Sequence, residues 1–491
     1  MNKAILSDNN DTKPDSEPHP EGTPLDRVVN DALVDLSDEV SLLASGEAGP
    51  RYCRDWGDDH GVPAPVVRPR TPRALVEVVR RLSKLQIPMV AQGGMSGLVG
   101  GGAPLAGEVV VSTELLRRIE DVDVIGGTMT VQAGVTLQAV QEEAERHGLF
   151  YPVDLGSRGS CLIGGNIATN AGGNRVLQYG MTRAQVLGLE VVLADGTAIS
   201  RLSRVVKDNA GYDLKHLFIG SEGTLGIVTR AVLRLQPLPR ERVTVALGLA
   251  RLEQVLEALV AARRSFGPAL TSFEVMWRDF HGFVTRTLGI GRDPFNGDAE
   301  FVVVLEVSCF DCDADRDRAR IEDALARMSE DLGTDHVVVA QSLKEAAEIW
   351  SVRDASGEVA RTLGDYLSFD ISIPTSRLAQ VLDVIEAGLH DIQPGLRKMT
   401  YGHLGDGNLH LLVACANELV EPVERLVYGA VANTQGSISA EHGIGLSKRT
   451  ALADALPRAE MDTMRRIKAA LDPDGLFNRG RVLAMAGTTG D

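Results

Sequence analysis

Tyr401-Gly402-His403-Leu404-Gly405-Asp406-Gly407-Asn408-Leu409-His410 is the stretch with the densest chemistry, two imidazoles seven residues apart. On one straight strand that odd spacing puts the rings on opposite faces. A helix would align them, but Gly405 and Gly407 disfavour a helix. Gly405-Asp406-Gly407-Asn408 is turn chemistry with Asp406 as turn-former, and a turn folds both rings toward one point. Thirty residues on stands Ser439-Ala440-Glu441-His442-Gly443-Ile444-Gly445. A carboxylate from Glu441 completes a His403, His410, Glu441 set with an open position, which suits zinc or another divalent metal. His442, next to a ligand, can then face a substrate. Either histidine alone would be an ordinary loop hydrogen-bonder; four such groups together point to a site.

Three donor-rich runs precede this pair. Gln92-Gly93-Gly94-Met95-Ser96-Gly97-Leu98 leads into Gly100-Gly101-Gly102. Gly156 to Gly173 is rich in Gly, Ser, Asn and Thr, and Gly220-Ser221-Glu222-Gly223-Thr224-Leu225-Gly226-Ile227 follows. Glycines let backbone amides approach an anion and cradle a pyrophosphate. The first run is no Walker loop, since no Gly-Lys-Ser/Thr follows, and no Rossmann fingerprint, since no helical pattern opens at once. Three such loops within about 130 residues favour one extended ligand, such as a dinucleotide, over three sites.

These pieces need elements to hold them. Val66–Pro69, Ile87–Ala91, Val109–Val111, Met129–Val131 and Val191–Leu193 read as strands. Thr71 caps a helix with Pro72 at its first position and Leu75, Val78, Val79 and Leu82 on one face. A second helix spans Leu137 to His147, and Val228-Thr229-Arg230 is strand-like. After a Pro-punctuated linker, Val232 to Pro239, strands are expected at Val243–Leu247, Phe301–Val307 and Asp370–Pro374. Helices are expected at Leu252–Arg264, Ala314–Leu332 and Leu378–Leu389.

Composition sets the limits. A chain of 491 residues with 44% hydrophobic and 24% charged residues has core enough for two or more domains. A net charge of −17 argues against nucleic acid and anionic membranes as partners. Residues 1–45 carry ten acidic against three basic residues, and the Pro-rich start through Pro24 predicts a disordered acidic tail over 1–48. Five scattered cysteines make no disulfide framework, and Cys309-Phe310-Asp311-Cys312 reads as two ordinary thiols. No apolar run reaches the ~18 residues of a membrane helix. The acidic N-terminus lacks a signal-peptide pattern, so a cytoplasmic protein is expected.

The runs at Gln92–Gly94, Ile163–Asn166 with Thr169–Gly173, Lys207-Asp208-Asn209-Ala210-Gly211-Tyr212-Asp213-Leu214, Gly220–Ile227, His403–His410 and Glu441–Gly445 keep one order. In that order they resemble the FAD-linked 2-hydroxy-acid dehydrogenases of the vanillyl-alcohol-oxidase flavoprotein superfamily. The likeness, over about residues 50 to 482, is nearest to the D-2-hydroxyglutarate and D-lactate dehydrogenases, with glycolate oxidase subunits as relatives. It implies an α+β fold: a two-subdomain PCMH-type FAD-binding domain over 49–240 and an antiparallel-sheet substrate domain over 241–425. A C-terminal helical segment over 426–491 would pack back on the FAD domain.

The resemblance also implies roles. Non-covalent FAD would contact Gln92, Gly93, Gly94, Met95, Ser96, Gly97, Leu98, Gly134, Pro152, Gly156, Ser160, Gly164, Gly165, Asn166, Thr169, Asn170, Gly173, Gly226, Ile227 and Asn478. The covalent attachment seen in some members uses His or Cys, and the Gln92 loop has Met95 and no His. Beyond Asn478 the family continues Pro-Gly-Lys where this chain has Arg479-Gly480-Arg481. His403, His410 and Glu441 would hold the metal, which binds the hydroxyl and carboxylate oxygens of a 2-hydroxy acid. His442 would take the hydroxyl proton, and flavin N5 the hydride. Arg353, in Trp350-Ser351-Val352-Arg353, resembles a carboxylate clamp. The hydroxyglutarate enzymes carry Thr, Lys and Asn where this chain has Gly357, Ser368 and Leu412, so a different or less anionic substrate tail is implied. Ser368 remains a candidate substrate contact. Electrons would pass to a separate acceptor such as electron-transfer flavoprotein, a quinone or a cytochrome, and a homodimer is compatible with this family.

Two other readings compete. A metal hydrolase on the same ligands leaves the three glycine-rich loops without a role. A non-catalytic flavoprotein subunit has no need of His442 or the metal ligands.

Overall fold

A computed structural model describes residues 23–57, 61–310 and 313–485. Three sheets carry the architecture. The first has four strands in the order Val40–Leu43, Val66–Pro69, Val109–Ser112, Met89–Gln92. Its outer pair is antiparallel and the rest parallel. Helix Pro72–Lys84 covers it: Thr71 Oγ1 accepts from Ala74 N at 3.1 Å, and Leu75, Val78, Val79 and Leu82 are fully buried. Cap, proline and apolar spacing all act as the sequence predicts.

The acidic N-terminal stretch corrects the expectation of a disordered tail from residue 23 onward. Thr23 and Asp26 form a reciprocal capping box on helix Pro24–Leu33. Asp26 is buried and also accepts from the amide and hydroxyl of Ser45, at 2.8 and 2.9 Å. Val29 and Leu33, four residues apart, pack into the same core as Leu75, and Val40–Leu43 adds a strand to the sheet. Asp31, Asp35, Asp38 and Glu39 are exposed, so composition concealed an amphipathic helix. Residues 1–22 of that expected tail lie outside the described residues, as does Cys312 of the C-x-x-C pair. Cys161, Cys309 and Cys415 are free thiols, and they and Cys53 are buried.

The second sheet is antiparallel, in the order Ile119–Asp123, Thr128–Gln132, Ile227–Arg234, Val186–Val192, Ala198–Arg201. Helix Leu137–Arg146 packs on it with Leu137, Val140 and Ala144 buried. Within the second glycine-rich run, Ile163–Thr169 is a short helix where the sequence suggests only loop. Ile163 and Ile167 share its buried side, and Asn170 ends it at φ 51°. The expected linker is partly strand: Ile227–Arg234 completes the sheet, and Gln236–Pro237 pairs with Leu149–Phe150.

The third sheet has seven antiparallel strands: Val337–Val339, Glu241–Leu249, Phe301–Cys309, Leu270–Trp277, Lys398–His403, Asn408–Ala414, Tyr366–Ser372. Side chains alternate between two cores. Val303, Leu305 and Phe273 face helices Leu252–Phe266, Ala314–Leu332, Leu378–Ile392 and Val420–Ala432. Val302, Val304, Met276 and Tyr401 face the other way. Helix Val420–Ala432 straddles the expected boundary at 425, because Val423, Val427 and Val431 belong to this core.

The chain then returns to the first sheet. Met89 N donates to Leu476 O at 2.7 Å, Asn478 N donates to Met89 O at 2.9 Å, and Phe477 is fully buried there. In the departing Arg479-Gly480-Arg481 segment, Arg481 is buried and bonds both Glu108 oxygens, at 2.6 and 2.8 Å. No helix among the described residues is long and apolar enough to cross a membrane.

Candidate active site

Strands Lys398–His403 and Asn408–Ala414 form a hairpin whose turn is the Gly405–Gly407 segment. His403 stands opposite Asn408 and Tyr401 opposite His410. Partners across a ladder share a face, so the two histidines become diagonal neighbours on one side. Their rings meet edge to face with centroids 5.4 Å apart, and both are buried. His442 stacks on His410 at 5.7 Å. One ligand atom each from His403, His410 and Glu441 lies within 4.8 Å of the others.

Three carboxylates that the sequence reading did not single out, Glu274, Asp370 and Glu222, fix this arrangement or lie beside it. Glu274, on the neighbouring strand and 1% exposed, takes His403 Nδ1 at 2.8 Å, which turns Nε2 toward the cleft. Its other oxygen accepts from Arg353 Nε at 2.8 Å, and Arg353 Nη2 lies 2.8 Å from His403 Nε2. Burial pushes Glu274 up, but the charges of His403 and Arg353 hold it below the usual carboxylate range. Burial likewise opposes the charge on His403, yet Glu274 raises it. Burial holds His410 well below an ordinary imidazole, despite Asp370, so it stays a neutral donor for a metal.

Asp370 is fully buried opposite His410. It accepts from Asn408 Nδ2 and from the backbone amides of Glu441 and His442, each at 2.8 Å. It therefore fastens the Glu441–His442 loop to the hairpin. Burial opposes its charge, but His442, Lys448 and His410 keep it ionised. Asp370, His410 and His442 make a second cluster of metal-ligand type. Asp370's oxygens are already engaged, whereas Glu441 Oε2 faces His403 Nε2 at 3.9 Å, so the first set has the better donors. Glu441 Oε1 accepts from Gly173 N at 2.8 Å, and a Cβ on Gly172 would sit 2.4 Å from it. From the third glycine-rich run, Glu222 accepts from Ile444 N at 2.8 Å and Gly445 N at 2.7 Å, with burial raising its pKa. Asp406 is exposed and bonds Asn408 N at 3.1 Å, as a turn-former does. The signal for Asp370 was legible: an acid inside an otherwise apolar strand.

His403, His410, Glu441 and His442 line a cleft of about 1300 Å³. That exceeds the ~300–1,000 Å³ of a single-ligand pocket. Of the expected cofactor contacts, Gln92 to Leu98, Gly156, Ser160, Gly164, Gly165, Asn166, Thr169, Gly173, Gly226, Ile227 and Asn478 line it, with Arg353 and Ser368. Gly134, Pro152 and Asn170 do not. A Cβ on Gly134 would lie 2.1 Å from Thr113 O, so that glycine serves packing, and Pro152 is buried. Asn170 caps a helix and accepts from Arg183 N. Gly156 and Gly165, by contrast, have no atom within 4 Å of an added Cβ, an open cradle of the kind a dinucleotide fills.

Residues 63–201 match the family model "FAD binding domain", and residues 238–482 match "FAD linked oxidases, C-terminal domain". The chain belongs to the FAD-linked oxidases. Among curated relatives it is 37% identical to "Probable D-2-hydroxyglutarate dehydrogenase, mitochondrial" of Oryza sativa subsp. japonica, over 87% of this chain and 77% of that protein. It is 36% identical to "D-2-hydroxyglutarate dehydrogenase" of Xanthomonas citri pv. viticola, over 88% and 92%. The fold superposes on p-cresol methylhydroxylase with a TM-score of 0.76 at 15% identity, covering 96% of this chain and 99% of that one. This FAD-linked oxidase is thus an α+β flavoprotein with a PCMH-type FAD-binding fold, and a D-2-hydroxyglutarate dehydrogenase-like oxidoreductase.

Proposed function

We propose that this FAD-linked oxidase converts a D-2-hydroxy acid to its 2-oxo acid with one divalent metal ion, zinc by donor chemistry, and passes the electrons to a separate acceptor. The observation that carries this is the meeting of His403, His410, Glu441 and His442 in the glycine-lined cleft. His403, His410 and Glu441 would hold the metal, which supplies Lewis acidity toward the substrate hydroxyl. The glycine-rich loops would hold non-covalent FAD, which supplies the hydride acceptor. His442 Nδ1 lies 3.7 Å from Asp370 Oδ2, so Nε2 is the nitrogen available for the hydroxyl proton. Asp370 stabilises the resulting imidazolium. Arg353, held by Glu274 at the cleft wall, presents its guanidinium to a substrate carboxylate. Closure of the cleft by bound cofactor and acid would exclude water from these groups. The acceptor is an electron-transfer flavoprotein, quinone or cytochrome, and the free buried cysteines fit a reducing compartment such as the cytoplasm.

Anaerobic mixing of the holoprotein with D- and L-2-hydroxy acids tests the reading. Flavin bands should bleach with D-acids and not with L-acids, and chelation should suppress bleaching. Flavin that no hydroxy acid reduces would overturn the proposal.

A further inference from the structure

Beyond the catalytic cluster the cleft continues along the hairpin. Two residue pairs past Asp370 and His410, and so on the same face, stand Ser368 and Leu412, paired with each other. Two residues along a strand is about 7 Å, the distance from a reacting carbon to the middle of a side chain. Leu412 is 3% exposed and belongs to an apolar cluster with Met399, Val359 and partly buried Tyr366. That cluster meets the cleft at Leu412 and Tyr366. Helix Ser356–Thr362 lines the same cleft. A Cβ on Gly357 would meet only the Trp56 ring, at 3.6 Å, and Trp56 is 65% exposed in the cleft. The cavity thus has an aliphatic floor, an open glycine gap and an indole face.

Charge along this stretch is mixed but acid-rich, with Arg353 4.0 Å from Asp354. Asp55, Asp354, Glu358 and Asp365 line the cleft, against the guanidinium of Arg361, which lies 5.8 Å over the Trp56 ring. Arg353, braced by Glu274, is the group assigned to the carboxylate next to the reacting carbon and so does not serve a second one. A second substrate carboxylate entering here would lose water and meet net negative charge, which is costly without a counter-ion. An aromatic or branched tail would bury apolar area on Leu412 and stack on the indole.

We propose that Trp56, Gly357 and Leu412 form a tail subsite selecting 2-hydroxy acids with uncharged apolar side chains, aromatic or branched aliphatic, over dicarboxylic ones. The inference rests on the oxidation proposed above and deepens it. Apolar pockets discriminate by about 10- to 200-fold per methylene. The kcat/KM for D-3-phenyllactate and D-2-hydroxyisocaproate should therefore exceed that for D-2-hydroxyglutarate by at least ~10-fold.

Two measurements on the holoprotein decide it. First, the hydroxyl-free acids 3-phenylpropanoate and glutarate are titrated against the flavin spectrum. 3-Phenylpropanoate should bind at least ~10-fold tighter; tighter glutarate overturns the subsite. Second, kcat/KM is measured for the three hydroxy acids and D-lactate in the parent, Gly357→Leu and Ser368→Lys. Gly357→Leu fills the gap within a helix that tolerates a side chain, so the phenyllactate-to-lactate ratio should fall at least ~10-fold. Ser368→Lys should raise the hydroxyglutarate-to-phenyllactate ratio by about 10-fold or more. Unchanged ratios in both variants overturn the assignment. If hydroxyglutarate is the best substrate of the parent, the subsite is wrong while the oxidation stands. If no hydroxy acid reduces the flavin, the oxidation is wrong, and the binding titration still decides the subsite.

Discussion

Replacing Asp370 by Asn keeps shape and removes one charge at the point where two chain segments join. The carboxylate has three short partners: Asn408 Nδ2 on one oxygen, and the amides of Glu441 and His442 on the other. All three are donors. An Asn amide has a single oxygen, so in either orientation its own NH2 faces a donor at 2.8 Å. With the oxygen toward the loop, the Asn408 bond breaks and two charge-assisted bonds become neutral. A buried unsatisfied donor costs about 1–3 kcal/mol, and each weakened bond about 1 kcal/mol. The total is about 3–5 kcal/mol, the range expected when a buried charge is removed from its partners. Part of that falls on the position of Glu441 and His442. Lost outer-shell support typically costs ~10- to 100-fold in metal affinity or activity. Asp370→Asn should therefore lose metal to a competing chelator at ~10- to 100-fold lower chelator concentration, with FAD retained. Its anaerobic flavin reduction should slow in parallel. Parent-like metal retention and reduction rate in a folded Asp370→Asn protein would falsify the role given to this carboxylate.

Three further outcomes follow from the same geometry. His410→Ala should remove bound metal and most turnover while leaving FAD in place; stoichiometric metal in that variant means the ligand set is misassigned. His442→Ala should slow flavin reduction by about 10²–10⁴ with metal content unchanged, and reduction at the parent rate rules out the proton-acceptor role. Arg481→Met leaves Glu108 buried without its bidentate partner, a loss of about 3–5 kcal/mol. A lower melting temperature and easier loss of FAD should result, and a melting temperature equal to the parent's contradicts that pairing.

Much of the site was legible in the sequence because its logic is local. Thr71 and Pro72 start a helix by capping chemistry that needs no partner segment. The Gly405–Gly407 turn likewise forces His403 and His410 together once two strands flank it. The glycine-rich runs announced a long polar ligand through backbone permissiveness, a property of each run alone. Where composition was averaged over a window, it misled. The acids of residues 23–48 suggested disorder, while the spacing of Val29 and Leu33 built a core helix.

Only the tertiary structure could reveal what the buried carboxylates hold. Glu274 reaches His403 across 129 residues, Asp370 holds amides 71 and 72 residues away, and Glu222 holds amides 222 and 223 residues away. A carboxylate inside a strand carries no mark of which distant donor will meet it, because its ionisation is decided by what surrounds it after folding. The same holds for the tail subsite. Trp56 and Gly357 lie three hundred residues apart, and neither defines a pocket until packing sets one against the other. The sequence thus determined the kinds of groups and their local turns, and the fold decided which charges meet and which cavities remain.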